Sequence, residues 1–213
     1  MITIITLSNK RDLIVDAVRS IVDQSRPVRH VWAMDGIMTW SESYPPAVWA
    51  NWEMSKIGPG DYLAWLSDDD LLLPNFAADL GGFLDAHPEI MAVYGRSDHI
   101  LYDPATGSES WIRELPVGGG RQVFDAVNRP LGKLDGGAVM FRREALDELE
   151  RPWIPEQFDG ARCSDGAFLD QLAVRWGIYP VGTRVLINRS TPASSHSALV
   201  GGRLAVVDWR RRR

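Results

Sequence analysis

The sequence predicts an α/β protein: a single domain with a mainly parallel central sheet flanked by helices. Three observations lead there. Short β-branched runs alternate along the chain with segments of helical periodicity, the pattern of a layered α/β architecture. The chain has 213 residues, 45% of them hydrophobic and 24% charged, which suits one medium-sized globular domain. Acidic residues follow directly on two of the strand-like runs, where open parallel sheets bind ligands.

The elements follow in order. ITIITL is continuous and β-branched, as expected of a central strand buried on both faces. Leu13, Ala17 and Ile21, with Val18 and Val22, recur at helical spacing. VRHVWAM reads as a second strand, ending at Asp35-Gly36, and a helical stretch around 47–57 is closed by GPG at 58–60. DYLAWLS is a third strand, with Asp68, Asp69 and Asp70 at its end. Pro74 then opens a helix whose Phe76, Leu80, Phe83 and Leu84 share one face. EIMAVYG is a fourth strand and LYDPATGSESW a hairpin. VGGGR at 117–121 reads as a mobile loop; it matches neither a GK[ST] phosphate loop nor GxGxxG, so it carries no nucleotide role of that kind. LDGGAVMF is a further strand and RREALDELE a helix. DGAFLDQLAVRWG is an amphipathic helix with Gly177 as its C-cap, and YPVGTRVLI is the last strand.

Composition excludes several classes. Cys163 is the only cysteine, so no disulfide forms within the chain and a reducing cytoplasm is the expected setting. No apolar run reaches the about 20 residues that span a bilayer. MITIITLS lacks a basic leader and reads as a buried strand, not a signal peptide. The net charge of −5 includes Arg210, Arg211, Arg212 and Arg213, so the body of the chain is more acidic still, which argues against phosphate-tracking nucleic-acid binding. The tail WRRRR at 209–213 reads as a solvated end, with weak contact to an anionic surface as its functional alternative.

The triplet Asp68–Asp70 carries the chemistry. One aspartate suffices for a turn or for a favourable charge at a helix N-terminus. Three in succession after a buried strand repel one another, and a bound cation relieves that repulsion. Hard ions such as Mg²⁺ and Mn²⁺ take oxygen ligands, often one or two carboxylates completed by phosphate oxygens.

In wider context the chain resembles the family 2, GT-A-type glycosyltransferases over almost its whole length. ITIITLSNKRDLIVDAVRSIVDQ is similar to the family's opening strand, turn and helix. HVWAMDG resembles its second strand with a nucleobase-reading aspartate, and GDYLAWLSDDDLLLP its strand leading to an Asp-x-Asp-type motif. GGAVMFRREALDEL and CSDGAFLDQLAVRWG resemble the acceptor-side strand and the segment supplying the catalytic base. Ser67 stands where the commonest motif has its first acid, and Ser164 where the family usually has Glu.

The resemblance implies a GT-A (Rossmann-like) domain over 1–205, with a nucleotide-sugar-binding half at 1–100, an acceptor-binding half at 101–205 and a basic tail at 206–213. It implies an inverting, metal-dependent transfer of sugar from a nucleoside-diphosphate sugar, with UDP expected, to an acceptor hydroxyl. Ser8 and Asn9 would line the nucleobase end and Asp35 would bind the base. Asp68 would face the ribose or a metal-bound water, Asp69 would hold Mn²⁺ or Mg²⁺, and Asp70 would lie near the sugar or metal. Asp165 would be the general base, and His196 would sit near the metal or diphosphate. The loop at 117–121 would close over the donor.

Each role has a plainer competitor. Asp35-Gly36 is also a turn, Asn9 also caps a helix, Asp165 is also an N-cap, and His196 lies in a Ser-rich loop that solvent suits. His87 and His99 read as surface or strand-end residues without a role. Two other functions compete: a nucleotidyltransferase of the same general plan, against which TLSNKRD lacks a glycine-rich phosphate loop, and a degenerate nucleotide-sugar-binding protein, which Ser67 and Ser164 motivate. The acceptor stays open among a glycan, a lipid-linked sugar, a protein and a modified nucleobase.

Overall fold

The computed structural model describes residues 1–8, 13–34, 58, 61–149 and 164–191. Its strands are β1 (Ile2–Ser8), β2 (Arg29–Met34), β3 (Tyr62–Ser67), β4 (Leu71–Leu72), β5 (Ala92–Asp103), β6 (Ser108–Leu115), β7 (Val139–Arg142) and β8 (Tyr179–Ser190). Its α-helices are α1 (Ile14–Val22), α2 (Phe76–Ala86), α3 (Ala145–Glu148) and α4 (Ser164–Trp176). All eight strands join one sheet in the order β2-β1-β3-β7-β5-β8-β4, with β6 paired to β5. β1, β2, β3, β5 and β8 run one way; β4, β6 and β7 run against them. The sheet is therefore mainly parallel, as the alternation of elements predicts.

Strand side chains alternate between two cores because successive residues point to opposite faces. On one face Ile2, Ile4, Tyr62, Ala64, Leu66, Val93 and Met140 pack under α1 (Ala17, Ile21) and α2 (Phe76, Leu80, Leu84). On the other, Ile5, Leu63, Trp65, Tyr94 and Phe141 pack under α4 through Phe168, Leu169 and Leu172. Among the described residues this is a three-layer α/β/α arrangement. No helix among them is long and apolar enough to cross a membrane.

The hairpin lies where LYDPATGSESW predicts it, Asp103 pairing with Ser108 across the turn. α4 ends at Gly177 with φ +79°, a left-handed C-cap that glycine adopts without strain. One element is shorter than expected. RREALDELE forms a single helical turn because its first residues belong to the sheet. The Arg142 N–H donates to Met91 O, and the Arg143 N–H to Asp61 O. By Leu149 the backbone is extended again (φ −94°, ψ 120°).

β8 packs tightly against β5 at Gly95. A Cβ there would lie 2.4 Å from Val185 Cγ2 and 3.0 Å from the Thr183 carbonyl. Gly95→Ala is therefore expected to lower unfolding free energy by about 1–3 kcal/mol through overpacking, read by urea denaturation. An unchanged midpoint would mean that the two strands separate without cost.

Candidate active site at the acidic turn

Parallel pairing brings the ends of the first three strands to one edge. Ser8 lies opposite Met34 and Leu7 opposite Ser67, so the chain leaves toward Asn9, Asp35 and Asp68 from the same side of the sheet. β5 and β8 run in the same direction and also end there. α4, which precedes β8 and lies against the sheet, begins at this edge. Phe168, one turn into α4, packs edge-on against Trp65 of β3 and tilted against Phe141, with ring centroids 5.4 Å and 5.1 Å apart. Trp65 stands two residues before the last residue of β3. The aromatic cluster thus fixes the start of α4 near the end of the strand that carries the acidic triplet.

The triplet forms a closed turn. The Asp70 N–H donates to Ser67 O at 3.2 Å, and Asp68 and Asp70 are 2% and 4% exposed, while Asp69 between them is only half-buried. The leucines that follow explain how the turn is held. Leu71 and Leu72 form β4, which pairs antiparallel with Ile187 and Leu186 of β8. α1 and the residues just after it grip the same segment: Ser20 Oγ accepts from Leu72 N–H, and Gln24 Nε2 donates to Leu73 O.

This pairing sets Asp70 against the end of β8. Its carboxylate accepts from the Arg189 N–H at 2.9 Å and from Asn188 Nδ2 at 3.2 Å. Burial pushes the Asp70 carboxyl well above the ordinary carboxylate range. The neighbouring charges of Asp69 and Asp135 add to the rise, and the Arg189 N–H and guanidinium oppose it. The Arg189 side chain, 3% exposed, donates through Nε to Asp69 O at 2.5 Å and through Nη1 to Asp16 Oδ2 at 3.0 Å. Its guanidinium carbon lies 5.0 Å from the Tyr102 ring centroid.

A second acidic group belongs to this edge. Asp135 begins the short turn before β7, its Oδ1 accepting from Gly137 N–H at 3.0 Å. Its Oδ2 lies 2.9 Å from His99 Nε2, both side chains being under a tenth exposed. The turn presses on β8, where a Cβ at Gly137 would stand 3.2 Å from Leu186 Cδ2. His99 is thus an interior residue of β5, 3% exposed, and not the strand-end residue its sequence context suggests; His87 is at the surface, as expected.

Of the residues singled out from the sequence, Asp68, Asp69 and Asp70 are brought together at this edge. Ser8 is the last residue of β1 and Asp165 the second of α4, placing both backbones in known elements; their side chains lie outside the described residues. Asn9, Asp35, His196 and Arg210–Arg213 lie outside them altogether. Asp16, His99, Asp135, Asn188 and Arg189 are the participants that sequence reasoning missed. Their one visible signal is a polar or charged residue set in, or directly before, an otherwise apolar run.

Among the described residues no group of three or more His, Cys, Asp or Glu is arranged to hold a metal alone. A hard divalent ion held through one or two carboxylates and a substrate's own phosphates needs no such group. The half-buried carboxylate of Asp69, flanked by two buried ones, fits that mode.

The mixed α/β sheet with its flanking helices has a GT-A fold. The solved structures that share it include S. aureus TarS 1–349 in complex with UDP-GlcNAc, at TM-score 0.67 and 14% identity over 92% of this chain. The same protein in complex with UDP matches at TM-score 0.62 and 14% identity over 90% of this chain, and TarS 1–349 itself at TM-score 0.63 and 12% identity over 88%. The chain spans about three fifths of the TarS 1–349 chain (60–61%). No protein-family model matches the chain, and no curated protein sequence does.

Proposed function

We propose that the protein is an inverting glycosyltransferase that moves a sugar from a UDP-sugar to an acceptor hydroxyl, assisted by one divalent cation. The observation that carries this reading is the buried acidic turn with half-buried Asp69, at the carboxyl edge of a sheet whose fold is shared with TarS in complex with UDP-GlcNAc.

In this reading Ser8, Asn9 and Asp35 receive the nucleoside at the ends of β1 and β2, and His196 approaches the diphosphate from the segment after β8. Asp69 holds Mn²⁺ or Mg²⁺, with Asp68 directed at the ribose or a metal-bound water. Asp70, tied into β8, braces the turn beside the sugar. When bound, the cation neutralises the negative charge that develops on the departing diphosphate. Asp165 accepts the acceptor hydroxyl proton while the acceptor oxygen bonds to the anomeric carbon. The bond from that carbon to the UDP oxygen breaks on the opposite face and its electron pair leaves with UDP. Holding both substrates in line supplies the orientation. The loop at 117–121 covers the donor and keeps water from it.

A panel of nucleotide sugars incubated with Mn²⁺, with and without EDTA, tests this. Release of UDP from one UDP-sugar, abolished by EDTA, is the expected result. Pyrophosphate released from a nucleoside triphosphate and a sugar phosphate would replace the reading with nucleotidyl transfer.

A further inference from the structure

The arginine beneath the acidic turn has more contacts to the turn than its burial requires. Arg189 meets the turn twice and α1 once: its N–H reaches Asp70 Oδ1, its Nε reaches the Asp69 carbonyl, and its Nη1 reaches Asp16 Oδ2. The side chain is 3% exposed, while Asp16 is 46% exposed, so the arm runs from the surface of α1 to the centre of the turn. Among the described residues Nη2 is buried without a hydrogen-bond partner, so the arm is held at some cost in desolvation.

We propose that Arg189 is a positioning residue that presents the Asp69 carboxylate to the cation and diphosphate of the donor; the inference rests on the reading of Asp69 above. The fork geometry of guanidinium allows one side chain to hold a carbonyl and a carboxylate in fixed relation, which a lysine ammonium does not. Nε grips the Asp69 backbone carbonyl, so the contact fixes the backbone from which the carboxylate extends. The fixed positive charge beneath the turn offsets part of the repulsion among the three aspartates.

The test is UDP binding to the full chain by calorimetry, with and without Mn²⁺, in wild type, Arg189→Lys and Asp16→Asn. The quantity read is the ratio of the two affinities, the enhancement by manganese. Arg189→Lys is expected to reduce that enhancement about tenfold and Asp16→Asn about threefold, with metal-free affinity unchanged. Asp16→Asn alters a half-exposed side chain, so it keeps the test informative if Arg189→Lys does not fold. Affinities that fall in step with and without manganese would make Arg189 a support for the fold alone and overturn the proposal, as would an unchanged enhancement in both variants. Wild-type protein whose UDP affinity ignores manganese would instead remove the reading of Asp69, and this inference with it.

Discussion

Asp165→Asn is expected to lower the transfer rate by about 10²–10⁴-fold, the contribution of a positioned general base, while leaving UDP affinity within about twofold. Asp165 is the second residue of α4, and the helix start is locked to the sheet by the packing of Phe168 against Trp65 and Phe141. The substitution keeps size and shape, so the helix stays where the aromatic cluster puts it. A base that works near neutral pH gains strength from desolvation, which the bound acceptor is expected to supply while it brings its hydroxyl into proton-transfer range. The helix begins at Ser164, so Asp165 lies in the first turn and is not the N-cap its sequence context suggests. Loss of a first-turn charge costs about 0.3–1 kcal/mol of stability and leaves the rate largely intact, which separates that role from the base. Undiminished transfer would pass the role to another carboxylate at this edge, Asp135 being a candidate among the described residues.

Much of the fold is legible in the sequence because it is written in local periodicity. ITIITL, VRHVWAM and DYLAWLS become β1, β2 and β3 within a residue or so; the continuous apolar runs of β1 and β3 suit strands covered on both faces, while β2, at the end of the strand order, leaves Arg29 and Trp32 exposed. Pro74 heralds α2, although the helix itself begins at Phe76 and the Pro74 carbonyl is used by Ser25 N–H and Oγ of the neighbouring segment. RREALDELE shows where local reading stops. Its helical pattern is genuine, but Arg142 and Arg143 are claimed by hydrogen bonds to Met91 and Asp61, which are distant in sequence.

The site divides along the same line. Asp68–Asp70 announce themselves as a run of like charge, and the three leucines after them read only as apolar filler. Pairing of Leu71 and Leu72 with β8 turns that filler into the device that sets Asp70 against Asn188 and Arg189. Arg189 and Asp16 meet across 173 positions of sequence, so no window of residues displays their contact. His99 and Asp135 are joined likewise by the packing of β5 against the turn before β7. The residues proposed to carry charge to the ligand are visible in the sequence, and those that hold the turn in place are not. The holding contacts are tertiary, made by residue types that are unremarkable in their own segments.

Asp69→Asn is the sharpest separation of site from scaffold. Transfer is expected to fall by about 10²–10³-fold, the usual loss when one preorganised charge-stabilising group is removed. Stability should stay level or rise by under about 1 kcal/mol. Arg189 Nε holds the Asp69 backbone carbonyl, so the anchor survives the substitution. The lost charge is one of the two that push the Asp70 carboxyl upward, so its removal relieves repulsion in the buried turn. Thermal melting and UDP-sugar turnover, measured on the same preparation, read both effects at once. A variant that loses activity and melts several degrees lower would make Asp69 a part of the framework. Lost activity at an unchanged or higher melting temperature assigns its carboxylate to the ligand, because a group that only held the turn together could not be removed without loosening it.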